Sequence, residues 1–129
     1  AEARKLVPKA RFEIADVRKL LFSDESFDIV MANEVLLNME KRTIPKAIKE
    51  FYRVLRKGGT LLLGEKEGTD EGIERDKYHN IKRYVSRYKL QEMEKYLTDT
   101  GFKVIKSWSD KDIRQNDSGK WIHLIVEKP

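Results

Sequence analysis

The chain contains no cysteine, which excludes a disulfide framework, a thiolate zinc site and a cysteine nucleophile at once, and argues against thiol redox chemistry. Nor does any apolar run approach the roughly 20 residues that a membrane helix needs, so no membrane partner is expected. His79 and His123 are the only histidines, far apart and without a carboxylate cluster at ligand spacing, so no metal site is expected. No Ser-His-Asp arrangement, phosphate loop, internal repeat or low-complexity segment can be assembled. The start, Ala1-Glu2-Ala3-Arg4-Lys5, has no apolar core behind its charges. No export signal is expected on that ground, and the expected compartment is cytoplasmic.

What is present suits one globular domain. The 129 residues are 40% apolar, enough for a single core. Lysine and arginine number 27 against 22 acids, a net charge of +5. Because the signs are interspersed and form no basic block, this excess favours encounter with anions but argues against a nucleic-acid partner. High Lys, Arg and Glu content without Cys would also suit a thermophile.

Along the chain, residues 1–7 read as the end of a helix closed by Pro8, and Arg11-Phe12-Glu13-Ile14-Ala15 alternates with the period of a strand that stops at Asp16. Phe27-Asp28-Ile29-Val30-Met31-Ala32 is a nearly continuous apolar run, as in a central parallel strand covered on both faces. Thr43 is positioned to cap a helix whose buried face is Ile44, Ala47, Ile48, Phe51 and Leu55, with Pro45 in the first turn. Lys57-Gly58-Gly59 ends it, since glycine accepts the left-handed backbone of a tight reversal, and Thr60 to Leu63 is the next buried strand. Glu65 to Tyr88 is strongly polar and contains the basic aromatic segment Lys77-Tyr78-His79-Asn80-Ile81-Lys82-Arg83-Tyr84; it reads as a loop followed by a short helix. Leu90, Met93 and Leu97 resume helical spacing up to Gly101. Phe102 to Trp108 and Trp121 to Val126 are strands joined by the polar loop Ser109 to Lys120, and should pair as an antiparallel hairpin.

The stretch from Glu50 to Gly64, a helix passing through the double glycine into Thr60-Leu61-Leu62-Leu63, together with Phe27-Asp28-Ile29-Val30 and Thr100-Gly101-Phe102, resembles the later two-thirds of class I S-adenosylmethionine-dependent methyltransferases, the group that methylates small molecules. The five strand segments match, in order, the third to the last strands of that family's sheet. The resemblance implies an α/β fold: a Rossmann-like sheet, mostly parallel, with a C-terminal antiparallel hairpin and without the first two strands. It implies one partial domain over residues 1–129, with residues 65–88 as a lid or acceptor-region insertion. The implied activity is methyl transfer from S-adenosylmethionine to a small-molecule acceptor.

By position, the resemblance assigns the donor's adenine to Asp16, as acceptor for the exocyclic amine, and to the backbone N–H of Val17. Asn33 and Glu34, just past the central strand, would face the donor's methionine portion or the acceptor, the place where open α/β sheets bind ligands. Glu34 is the candidate general base, if burial raises its pKa. Leu36, Leu37 and Met39 resemble the apolar group shaping the acceptor pocket, and Tyr78, His79, Arg83, Tyr84, Arg87 and Tyr88 are acceptor-contact candidates. Each has a plainer reading: Asp16 as a turn residue, Glu34 as a solvated acid opening a helix, the leucines as core, and the lid residues as a solvated face. Asp28, Arg53 and the two glycines are fold residues, with Arg53 placed to pair with Glu50 or Asp28.

The family's Gly-x-Gly donor loop has no counterpart upstream of Asp16. Since the family's strand order is third, second, first, fourth, fifth, seventh, sixth, an edge of the fourth strand is expected to be open. Closure of the third strand onto the fourth, a second copy pairing as a homodimer, or a longer parent of which this is a fragment impaired in donor binding would each fill it. The other class of reading is a non-catalytic methyltransferase-like module that works by dimerisation or through a partner subunit.

Overall fold

In a computed structural model of the chain, which describes residues 2–76, 78–111 and 120–129, a four-stranded sheet carries two helices on one face. The elements are α1 (Glu2–Leu6), β1 (Phe27–Asn33), a short 3-10 turn (Lys41–Thr43), α2 (Ile44–Val54), β2 (Leu55–Lys66), β3 (Glu71–Arg75), β4 (Lys82–Ser86), α3 (Leu90–Thr100), β5 (Lys103–Lys111) and β6 (Lys120–Glu127). Sheet order is β1-β2-β6-β5. β1 and β2 are parallel neighbours, with Val30 opposite Leu61 and Asn33 opposite Gly64. β6 runs against both β2 and β5. Three of the four strands thus share one direction and the last is inserted in reverse, the expected mostly parallel sheet with its terminal antiparallel hairpin.

The core follows from two periodicities. α2 presents Ile44, Ala47, Ile48, Phe51 and Val54 from one side, and α3 contributes Met93 and Leu97. They meet the inward residues Ala32, Leu61, Leu63, Ile122, Leu124 and Val126. At about 25 cal/mol per Å² this apolar burial is the main stabilising term. Pro45 lies in the first turn of α2 as expected, and Gly101, at φ 123°, closes α3 by giving its N–H to Leu97 and Thr98 carbonyls.

Several local expectations need correction. Residues 11–15 form no strand: Ile14 is exposed, and Asp16 makes only an isolated bridge to Lys19. The alternation there is real, but β2 is the one neighbour β1 has among the described residues, so the segment has nothing to pair with. Nor is β1 covered on both faces: Ile29 and Met31 are 62% and 71% exposed. α2 ends at Val54, and Leu55 already belongs to β2. Thr43 does not cap α2 through its side chain, because its hydroxyl donates to the Glu40 carbonyl instead. Residues 65–88 hold a β3–β4 hairpin in place of the short helix. β5 continues to Lys111, past the expected limit at Trp108. Most of the expected loop Ser109–Lys120, and Lys77 of the basic aromatic segment, lie outside the described residues.

Arg53 pairs with Glu50 at 2.7 Å and Asp24 at 2.8 Å and also donates to the carbonyls of Leu20 and Phe22. Glu50 in turn accepts the Leu20 N–H at 2.8 Å. Arg53 and Glu50 together therefore tie the irregular segment after Asp16 onto α2. Asp28 is taken by Arg56 at 2.6 Å.

Candidate functional site

The backbone leaves β1 through an unusual turn. Glu34 has φ 56°, a left-handed conformation that costs a non-glycine residue on the order of 1 kcal/mol, and its N–H is held by the Gly64 carbonyl at 2.8 Å. Asn33, exposed, lies across Gly64 so closely that a Cβ there would collide with its side-chain oxygen. The following residues, 36–41, are fastened from two directions.

From β2, Glu65 accepts the Leu36 N–H at 2.8 Å. From the β3–β4 hairpin, Ser86 receives the attention of three carbonyls: its hydroxyl lies 3.0 Å from that of Leu36 and 2.8 Å from that of Met39, and its N–H donates to Leu37 at 2.7 Å. Tyr88 adds a hydroxyl contact to Ser86 at 2.7 Å. Further out, Asn38 donates to the Tyr84 carbonyl at 2.7 Å and the Lys41 N–H donates to Glu71 at 2.7 Å. The hairpin is braced by Arg87, which bridges Glu74 and Asp70.

This docking makes a groove of about 660 Å³ lined by Ala15, Asp16, Val17, Arg18, Val35, Asn38, Met39, Glu40, Thr43 and Tyr84. Asp16 and Val17 are thereby brought to one place with Tyr84, which is far from them in sequence. The Asp16 carboxylate is held by Arg18 through Nε, Nη2 and the backbone N–H, and these bonds pull its pKa down to about 2. Tyr84 donates its hydroxyl to Glu71, which pushes its own pKa up to about 12.

The other candidates are dispersed. Leu37 and Tyr88 are buried in the core, where desolvation pushes the Tyr88 hydroxyl well above its ordinary value. Tyr78 and Arg83 are exposed, as is His79, which contacts Asp76 at 3.1 Å in the hairpin turn. Asn33 lines a separate hollow on the open face of the sheet with Met31, Leu62, Trp108 and His123. There His123 stacks on Trp108 at 5.0 Å and meets Asp110 at 3.0 Å. No group of three or more His, Asp or Glu placed to hold a metal occurs among the described residues, and none of their helices is long and apolar enough to cross a membrane.

Sequence reasoning missed Glu65. It is fully buried, its Oε2 is without a partner, and burial pushes its pKa up to about 8, with the Leu36 bond opposing and the charge of Glu34 adding to the rise. Leu61, Leu63 and Glu65 are successive inward positions of one strand, a relation that a strand ending at Leu63 hides.

The sheet order, the crossover through α2 and a groove at the carboxyl end of parallel strands define a Rossmann-like α/β domain. Comparisons with known proteins narrow this. A model of the methyltransferase domain family matches residues 1–63. The 27-O-demethylrifamycin SV methyltransferase of Amycolatopsis mediterranei is 33% identical over 115 residues, 85% of this chain and 40% of its own length. A solved S-adenosylmethionine-dependent methyltransferase from Methanosarcina mazei superposes with TM-score 0.83 at 22% identity, over 93% of this chain and 68% of that one. The 1,6-didemethyltoxoflavin-N1-methyltransferase of Burkholderia thailandensis, solved with 1,6-didemethyltoxoflavin and S-adenosylhomocysteine, does so with TM-score 0.76 at 16% identity, over 98% of this chain and 54% of that one. A methyltransferase-domain model thus covers nearly half of the chain, and the fold is that of S-adenosylmethionine-dependent methyltransferases. The chain spans 24% to 54% of the length of four curated relatives it matches.

Proposed function

We propose that this chain forms the adenine side and the acceptor side of a site that transfers a methyl group from S-adenosylmethionine to a nucleophilic oxygen, nitrogen or carbon of a small molecule. The observation that carries the reading is the groove joining Asp16 and Val17 to Val35, Asn38, Met39 and Tyr84 beside the end of β1. A carboxylate has about four lone-pair positions, so Asp16 can accept the adenine amine while keeping part of its Arg18 pairing. The Val17 N–H serves the ring. Asn33 and Glu34 reach the methionine portion or the acceptor, and Glu34 is the base if the nucleophile needs one. Leu37 and Tyr88 support the acceptor wall from behind, Tyr84 stands at its rim, and Tyr78, His79 and Arg83 meet the acceptor only if the hairpin moves. Aligning sulfonium and nucleophile supplies most of such catalysis.

These contacts leave the donor's ribose without a named partner, so the chain alone is expected to bind weakly or not at all. Calorimetric titration with S-adenosylmethionine and S-adenosylhomocysteine tests this; a micromolar constant for the isolated chain contradicts the impairment. In the complete protein Asp16→Ala should weaken donor binding several-fold, and unchanged affinity removes Asp16 from the site.

A second reading draws support from the exposure of Ile29 and Met31 beside the free edge of β1. In it the chain is a non-catalytic module that pairs with a second copy through this edge. Sedimentation equilibrium should then give a concentration-dependent dimer; a monomer at all concentrations excludes it.

A further inference from the structure

We infer that Glu65 is a positioning residue of the proposed donor site: from inside the core it takes the Leu36 amide and so fixes the backbone that presents Asn33 and Glu34 at the end of β1. Its functional meaning rests on the donor reading above, whereas its mechanics do not. The strand's inward positions call for an apolar residue here, since Glu65 follows Leu61 and Leu63 on one face and pairs in register with Ile122. An acid with one unpartnered oxygen at this place costs stability that a leucine would not. The return for that cost is a single bond, to Leu36 at 2.8 Å, in the segment that leads out of β1.

The surroundings favour the neutral acid. Glu34, after β1, is the charge that acts on Glu65, and it is of the same sign. Tyr88, after β4, is uncharged and engaged with Ser86. Lys41 lies over the Tyr88 ring at 4.9 Å but is paired with Glu92 of α3 at 3.1 Å, and Tyr96 of α3 stacks edge-on against the same ring. His123 of β6 is in register with Gly64 and points to the opposite face of the sheet, toward Trp108 and Asp110. With the proton on one oxygen, the other accepts the Leu36 N–H; ionisation at a pH near 8 places a buried negative charge beside that of Glu34. The segment must then loosen to admit water. Because Ser86 holds the carbonyls of Leu36 and Met39 independently, the loosening is local.

Amide hydrogen exchange resolved at Leu36 tests this on the full chain. Between about pH 6 and about pH 9, bracketing the Glu65 transition near 8, Leu36 protection in the wild type, corrected for the intrinsic rate, should fall about tenfold. Glu65→Gln keeps the acceptor and should abolish that fall; Glu65→Ala should lose protection at every pH. Protection that is pH-independent in the wild type, or equal in all three proteins, overturns the inference. If Glu65→Ala does not fold, the wild type and Glu65→Gln decide. In the complete protein, with S-adenosylhomocysteine as probe, Glu65→Ala should weaken binding about tenfold and Glu65→Gln less than about threefold. Equal affinities overturn the functional half. Absence of binding by the wild type itself overturns the donor reading and that half with it, and leaves the exchange result to decide the mechanics.

Discussion

From about pH 5 to about pH 8 the chain is expected to lose stability as the pH rises, the opposite of its behaviour in acid. Glu65 is responsible: its pKa is about 8 in the folded chain against an ordinary 4.5. Between those values the unfolded chain has released the proton and the folded chain keeps it, so the unfolded state binds fewer protons and unfolding becomes more favourable with each step upward in pH. The slope is about −1.4 kcal/mol per pH unit for one such group. The contribution is complete below the unfolded value and gone above about 8, where both states are ionised. Glu50, Glu71, Glu74 and Asp76 act the other way. Hydrogen bonds, from Arg53, Tyr84, Arg87 and the Tyr78 backbone respectively, lower their pKa values, so what they contribute is present above the unfolded carboxylate range and lost on acidification. Glu71 and Glu74 are open to solvent, which keeps their share small. Maximum stability in mild acid follows, and urea denaturation across the range should show it. Glu65→Gln should flatten the alkaline limb and leave the acid limb in place. A wild-type stability that rises or stays level from about pH 5 to about pH 8 contradicts the assignment.

The elements legible in the sequence are those whose periodicity coincides with a partner. α2 and α3 repeat at helical spacing and find the sheet; β2 and β6 are apolar because they lie between neighbours. Where periodicity and partnership separate, the reading fails. Phe12 to Ala15 alternates but has nothing to pair with and stays irregular. The β3–β4 hairpin is hidden for the converse reason: Glu71-Gly72-Ile73-Glu74-Arg75 is mostly charged, and its stability comes from Arg87 bridging Asp70 and Glu74 and from docking onto residues 36–41. Such pairings join residues 13 or more apart and leave no local trace. At the site, Asp16, Val17 and Tyr84 could be nominated by position, and the fold brings them to one groove. Glu65 could not, because a glutamate opening a polar stretch looks like surface until the strand is seen to continue inward through it.

Phe51→Ala is expected to cost about 3–5 kcal/mol, a large fraction of the roughly 5–15 kcal/mol that stabilises a domain. Phe51 is 3% exposed and belongs to the core under the sheet, and with Leu20, Phe22, Phe27, Val30 and Val54 it lines a small hollow between α2 and the start of β1. Its removal loosens the crossover that sets β1 beside β2, and with it the turn at Asn33 and Glu34. Thermal or urea denaturation measures the loss; a change under about 1 kcal/mol would mean that the helix does not pack as described. Met31 makes the informative contrast. On the open face of β1 and 71% exposed, it should tolerate alanine within about 0.5 kcal/mol in the isolated chain. If a second copy or additional chain covers that face, burial converts Met31 into a core residue, and the same substitution should cost about 2 kcal/mol or more in that context. Phe51→Ala would cost the same in both, so the difference between the two variants, measured in the chain alone and in any assembly or longer chain that holds it, reports whether the face of β1 is covered without requiring any ligand.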